Sequence, residues 1–219
     1  MRRVYVALLA MLCGTSFSIG SVHAEIPRGK VLEFEAFRNG SSIGTHRLNF
    51  KTEGDRVTVD VAIRFKVDLA FVTLYRYEHN SQEVWEKGSL IGLATRTNDD
   101  GKKTEVRASA MSDQLKITGS GGAFDLPFGS FPTTYWNRAV TGQTLLLDSQ
   151  DGVRTNVAVA PPVRETFPVL GKQSPADRFS LSGELNIDLW YSPKGEWVGL
   201  KFNSKGSEIV YARRTPLDE

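Results

Sequence analysis

Three stretches of this 219-residue chain carry side chains that could do chemistry. In RYEHNSQEVW, residues 76–85, His79 stands between Glu78 and Glu83. A carboxylate beside an imidazole raises its pKa and makes an acid/base pair. The competing reading is an ordinary polar strand face, since alternation sets Tyr75 and Tyr77 opposite Glu78. In PTTYWNRAV, residues 132–140, two aromatics, an amide and a guanidinium fall on Tyr135, Trp136, Asn137 and Arg138. They either line a pocket mouth or belong to a docked helix, with Tyr135 and Trp136 as core plugs and Arg138 as a solvated cap. In LNIDLWYSPKGEWVGLKF, residues 185–202, Trp190 shares a nominally polar face with Asn186 and Asp188, where it contacts a ligand or pairs with Trp197 across the hairpin. Tyr135, Trp136, Asn137, Arg138, Trp190 and His79 are therefore the candidate ligand-binding residues, and none is given a catalytic role.

Other chemistries lack their residues. Beyond the leader the chain has two histidines, His46 and His79, with no second His or Cys at metal-ligand spacing, so a zinc or copper site would have to be completed by carboxylates. No Gly-x-Ser-x-Gly elbow, His-Glu-x-x-His pair or glycine-rich phosphate loop occurs, and no cofactor is implied. TNDDGKK, residues 97–103, lacks the Asp-x-Asp spacing and distal Glu of a calcium loop and reads as a hairpin turn; DSQDG, residues 148–152, reads as the turn before a strand.

The elements that must position these residues are strands. Val57, Val59, Val61, Ile63, Phe65, Val67 and Leu69 alternate with mostly polar residues, the pattern of a strand with one face in the core. At about 3.4 Å per residue it runs roughly 40 Å, longer than a flat sheet in a small domain needs, which points to a barrel or a deeply curved sheet. Asn39-Gly40, Glu53-Gly54-Asp55, Lys87-Gly88, Asp100-Gly101, Asp151-Gly152, Lys194-Gly195 and Lys205-Gly206 punctuate the chain as turns. Strands are predicted near 31–38, 42–51, 56–69, 71–86, 89–98, 103–111, 114–118, 144–149, 153–159, 178–191, 196–203 and 207–213, in an antiparallel meander. Ala160-Pro161-Pro162 and Ser174-Pro175 mark loops. A short helix over 134–140, capped by Thr133 or Thr134 and ended by Gly142, covers one opening.

Arg2 and Arg3, the apolar run Val4–Leu12 and the small residues Val22 and Ala24 before Glu25 make residues 1–24 a cleaved signal peptide. The run is far shorter than the roughly 20 residues of a spanning helix. Residues 25–219 are then a single β domain, large enough to bury about 70% of its unfolded surface and free of cysteine, because Cys13 lies in the leader. The net charge of +2 comes from Arg2 and Arg3, so the exported chain is formally neutral and nothing in its overall charge steers it to nucleic acid or acidic membranes.

The series FRNGSSIGTHRL, YRYEHNSQEVW, TRTNDDGKK, PTTYWNRAV, LLLDSQDG and DLWYSPKGEWVGLKF resembles an uncharacterised family of exported bacterial proteins, domain of unknown function 6134, over nearly all of the mature chain. More distantly it resembles another exported group sharing the early Asn-Gly hairpin and a late Trp-containing hairpin. The resemblance implies secretion and an all-β fold and carries no activity. The expectation is an all-β, antiparallel, strongly curved sheet forming a barrel or half-barrel. Barrels of this kind hold side chains or one ligand. A soluble periplasmic or secreted binding or carrier protein for an apolar or amphipathic, envelope lipid-like small molecule is the leading function. An envelope scaffold binding a protein partner through a strand edge is the alternative, and a hydrolase or isomerase using His79 stands behind both.

Overall fold

The computed structural model describes residue 26 and residues 29–218; the leader and the cleavage point before Glu25 lie outside the described residues. The strands are Val31–Arg38 (β1), Ser41–Glu53 (β2), Arg56–Leu69 (β3), Val72–Glu86 (β4), Ser89–Asp99 (β5), Lys102–Ala110 (β6), Gln114–Gly119 (β7) and Gly122–Pro127 (β8). They continue with Phe131–Pro132 (β9), Leu145–Leu147 (β10), Arg154–Val159 (β11), Val163–Val169 (β12), Lys172–Gly183 (β13), Ile187–Tyr191 (β14), Trp197–Ser204 (β15) and Ser207–Arg213 (β16). One sheet runs from β8 back through β1, across to β16, and down through β13 to β11, β10 and β9.

Local sequence explains why neighbours pair. Asn39-Gly40, Lys87-Gly88, Asp100-Gly101 and Lys205-Gly206 have positive φ at both positions, as two-residue hairpins with right-handed twist require. Between turns the strands alternate, and β3 keeps Val59 and Val61 in the core while Arg64, Lys66 and Asp68 face water. Curvature brings the two ends of the sheet together: the Gly121 N–H donates to the Asp151 carbonyl at 3.0 Å, and Arg154 donates to the Asp125 carbonyl at 3.0 Å. A second, smaller ring closes where β12 pairs with β13 and also meets β16 through Val169 and Arg213, around Phe167, Val169, Ala176, Trp190 and Val198.

Three expectations are corrected. β8 and β12 occupy stretches for which no strand is predicted, and 178–191 is two strands, β13 and β14, broken after Gly183 at φ +114. Prolines disguised β12: Pro168 is within it and Pro175 is within its partner β13, on the outer ring where a missing N–H is tolerated. The helix is a 3-10 turn, Arg138–Gly142, capped by the Asn137 side chain accepting from the Ala139 N–H. Thr133 is no cap; its hydroxyl accepts from the Ser149 N–H. Asn137 starts the turn as its N-cap, and further back Phe131 and Pro132 pair with β10.

Candidate functional site

Two ends of the barrel differ in what fills them. At the end where β3 begins and β4 finishes, Trp136 inserts between Phe50 and Trp85, with ring centroids 5.3 and 5.5 Å away, and Phe131 packs at a tilt on Trp85 at 5.1 Å. The buried Glu83 carboxylate accepts both indole N–H groups, from Trp85 at 2.7 Å and Trp136 at 3.0 Å. Burial pushes this carboxyl's pKa up, against the opposing pull of the Trp136 and Trp85 donors. The base of the barrel is thus packed solid.

At the other end lies a cavity of about 590 Å³. Ile43, Ile63, Phe65, Val67, Phe202 and Ile209 make its apolar wall, all on inward positions of β2, β3, β15 and β16. Tyrosines supply its polar points. The Tyr75 hydroxyl donates to Asp99 at 2.7 Å, and that of Tyr77 donates to the Gln150 side chain at 3.0 Å. Tyr211 also faces the cavity, and its hydroxyl has no hydrogen-bond partner among the described residues. Arg38 and Lys205 stand at the mouth, Lys205 lying 5.4 Å from the Tyr75 ring. An apolar chamber with a few fixed hydroxyls and two cations at its opening suits a ligand with an apolar body and a polar or anionic end.

Beneath this floor sit the two histidines. His79 stacks under Tyr77 at 6.4 Å, and its Nδ1 shares a hydrogen bond with the Thr97 hydroxyl at 2.8 Å. His46 is ringed by Phe34, Trp197 and Tyr211, and neither of its nitrogens has a hydrogen-bond partner among the described residues. Burial lowers the pKa of His79 to about 4, helped by Arg64, and that of His46 to about 3, helped by His79.

The structure therefore places the sequence candidates away from the cavity. Trp136 is in the base, and Tyr135 lies below the floor, 5.8 Å from Trp197, its carbonyl accepting from the Tyr191 hydroxyl. Asn137 is a buried cap, and Arg138 lies 5.2 Å from the Phe179 ring and 3.8 Å from Asp177. Trp190 does not pair with Trp197, because its register partner is Gly199; it packs on Phe167 at 4.6 Å in the smaller ring and donates to Glu165 at 2.6 Å. His79 is not on a polar outer face. It is 3% exposed, points inward with Tyr75 and Tyr77, and has its pKa lowered where a carboxylate neighbour would have raised it. Sequence reading missed the cavity residues themselves, although the inward parity of Ile63, Phe65 and Val67 was already visible in the alternation.

No helix among the described residues is long and apolar enough to cross a membrane. A family model described as a domain of unknown function, DUF6134, matches residues 34–214. A comparison with curated proteins gives no match. Among solved structures the chain is similar to a β-barrel-like protein of domain of unknown function DUF1849 from Brucella abortus, with 11% identity over 84% of this chain and 94% of that one and a TM-score of 0.54. At that identity the likeness concerns the fold.

Proposed function

The chain belongs to the DUF6134 family, a domain of unknown function, and from that premise and the cavity we propose that it is a non-catalytic binding or carrier protein for an apolar or amphipathic, envelope lipid-like molecule. The observation that carries this reading is the contrast between the two ends of one barrel. Tryptophans fill the base, while the same inward-facing alternation opens into about 590 Å³ at the mouth. In a barrel that only had to be stable, the mouth would be packed as the base is. Export by residues 1–24 would put it in the periplasm, where such a ligand needs shielding from water.

His79 gives little support to hydrolysis or isomerisation. Its ring is buried, neutral near pH 7, and bonded to a hydroxyl, with no carboxylate beside it among the described residues.

The test is a titration of purified protein with N-phenyl-1-naphthylamine, together with mass spectrometry of its organic extract. Saturable one-to-one binding is expected, displaced by a long-chain fatty acid. Val67→Glu, which puts a charge in the mouth without touching the packed base, should weaken probe binding about tenfold or more while leaving the melting temperature nearly unchanged. Equal probe affinity for Val67→Glu and wild type would refute the cavity as the site.

A further inference from the structure

The hairpin between β3 and β4 outruns the sheet that carries it. β2 pairs with β3 only as far as Phe65, and β5 pairs with β4 only from Tyr77. Residues 66–69 pair with 72–76, and among the described residues the one lateral backbone bond to this stretch is from the Asp100 N–H to the Arg76 carbonyl at its base, at 2.8 Å. At about 3.4 Å per residue, the two-stranded ribbon runs roughly 15 Å past its last lateral partners. Its tip is apolar. Phe71 is fully exposed, Val72 is 61% exposed and Leu74 is 54% exposed. The tip is also continuous with the cavity, since Val67, Leu74 and Tyr75 belong to both ribbon and lining.

Charge around the tip is one-sided. Lys66 is neutralised by Asp68 at 2.9 Å. Arg38, Arg76, Lys102, Lys103 and Lys205, on this ribbon and the three hairpins beside it, form no ion pair among the described residues. The acids nearby are fewer, Asp99 and Asp100, and Asp99 is engaged by the Tyr75 hydroxyl. A chain formally neutral once its leader is gone thus gathers unpaired cations around one protruding apolar tip.

We propose that this hairpin is a membrane-docking finger: Phe71 and Val72 insert into the interfacial layer of an anionic phospholipid bilayer, the surrounding lysines and arginines hold the headgroups, and the cavity mouth is seated against the lipid. An exposed aromatic flanked by cations is the composition that binds at that depth, where each basic residue near an anionic surface adds a similar small attraction. A protein partner is the less fitting occupant, because two side chains at the end of a narrow ribbon offer little of the area that a stable protein interface requires. Docking goes beyond the binding reading and stands or falls separately from it.

The experiment is co-sedimentation of the mature protein with vesicles of phosphatidylcholine containing one-quarter phosphatidylglycerol, beside vesicles of phosphatidylcholine alone. Wild type should bind the anionic vesicles, less so as salt rises. Phe71→Ser with Val72→Ser should lower the partition coefficient about tenfold or more. The triple variant Arg76→Glu, Lys102→Glu, Lys103→Glu should lose the preference for phosphatidylglycerol. Phe71→Trp should be quenched by brominated acyl chains, whereas the native tryptophans, all buried, should not. Wild type remaining in the supernatant, or a tip variant sedimenting as wild type does, overturns the proposal. So does a tip that captures an envelope protein while ignoring vesicles. The tip variant should keep its N-phenyl-1-naphthylamine affinity; vesicle binding without probe binding would sink the cavity reading and leave docking intact.

Discussion

His46 and His79 are buried bases that fold in their neutral form, and this fixes how the protein responds to acid. Their pKa values in the fold, about 3 and about 4, lie below the ordinary 6.5. Between those values the unfolded chain binds more protons than the folded one, so stability falls as pH drops below about 6.5, by up to about 1.4 kcal/mol per pH unit per histidine. Glu83 works in the opposite sense. Its raised pKa means the fold holds the proton longer, so its contribution declines as pH rises above the ordinary glutamate range. A difference measurement separates them: urea unfolding from pH 7 to pH 4.5 should show a shallower loss of stability for His79→Gln than for wild type. Parallel curves would mean that His79 takes up its proton in the fold at the same pH as in the unfolded chain. The inward position of these groups was present in the sequence as parity, since 75, 77, 79, 81, 83 and 85 are all odd. It was obscured because a face carrying His, Ser and Glu looks like one meant for water. Only Trp85 and the two tyrosines gave it away.

Among the elements, β14 and β15 show a fit that residue types alone do not announce. Trp190 stands opposite Gly199, and the Phe167 ring from β12 lies over that glycine. A Cβ at Gly199 would collide with the Phe167 ring carbon Cε1 and meet the Tyr211 carbonyl at 2.8 Å. Gly199→Ala should therefore destabilise the protein by about 1–3 kcal/mol through overpacking, and Phe167→Leu in that background should recover part of the loss in a urea melt. An additive double variant would show that the ring is not what Gly199 accommodates. Strands with clean alternation and Gly-containing turns, such as β3 and β16, were legible in the sequence because local pattern and tertiary role agree there. β12 and residues 131–143 were not. β12 owes its place to pairing with β13 and β16 despite its proline, and Trp136 is placed by a carboxylate 53 residues earlier in the chain. Long-range partners of that kind leave no periodic trace.

At the scale of the whole molecule, the main core and the smaller ring meet on one strand, where Trp197 faces the first and Val198 the second. Beside them Arg213 and Glu196, both almost wholly buried, form an ion pair at 2.8 Å. Arg213 also donates to the Trp197 and Pro216 carbonyls, tying the chain's last turn to the joint. Glu196→Ala removes the carboxylate paired with that buried guanidinium, leaving only the Asp218 charge nearby, and should cost about 3–5 kcal/mol. Glu196→Gln, which keeps the acceptor, should cost less, and equal melting temperatures for the two would show that the charge is dispensable. The packed tryptophan base has a further consequence for traffic through the molecule. A chamber with a stopper at one end is a cul-de-sac: arrival and departure use the same doorway, and a newcomer cannot push its predecessor out at the back. On the proposed binding function, cargo would be turned over only by backing out. A molecule too long for the chamber leaves its remainder outside, where it can stay attached to whatever supplied it.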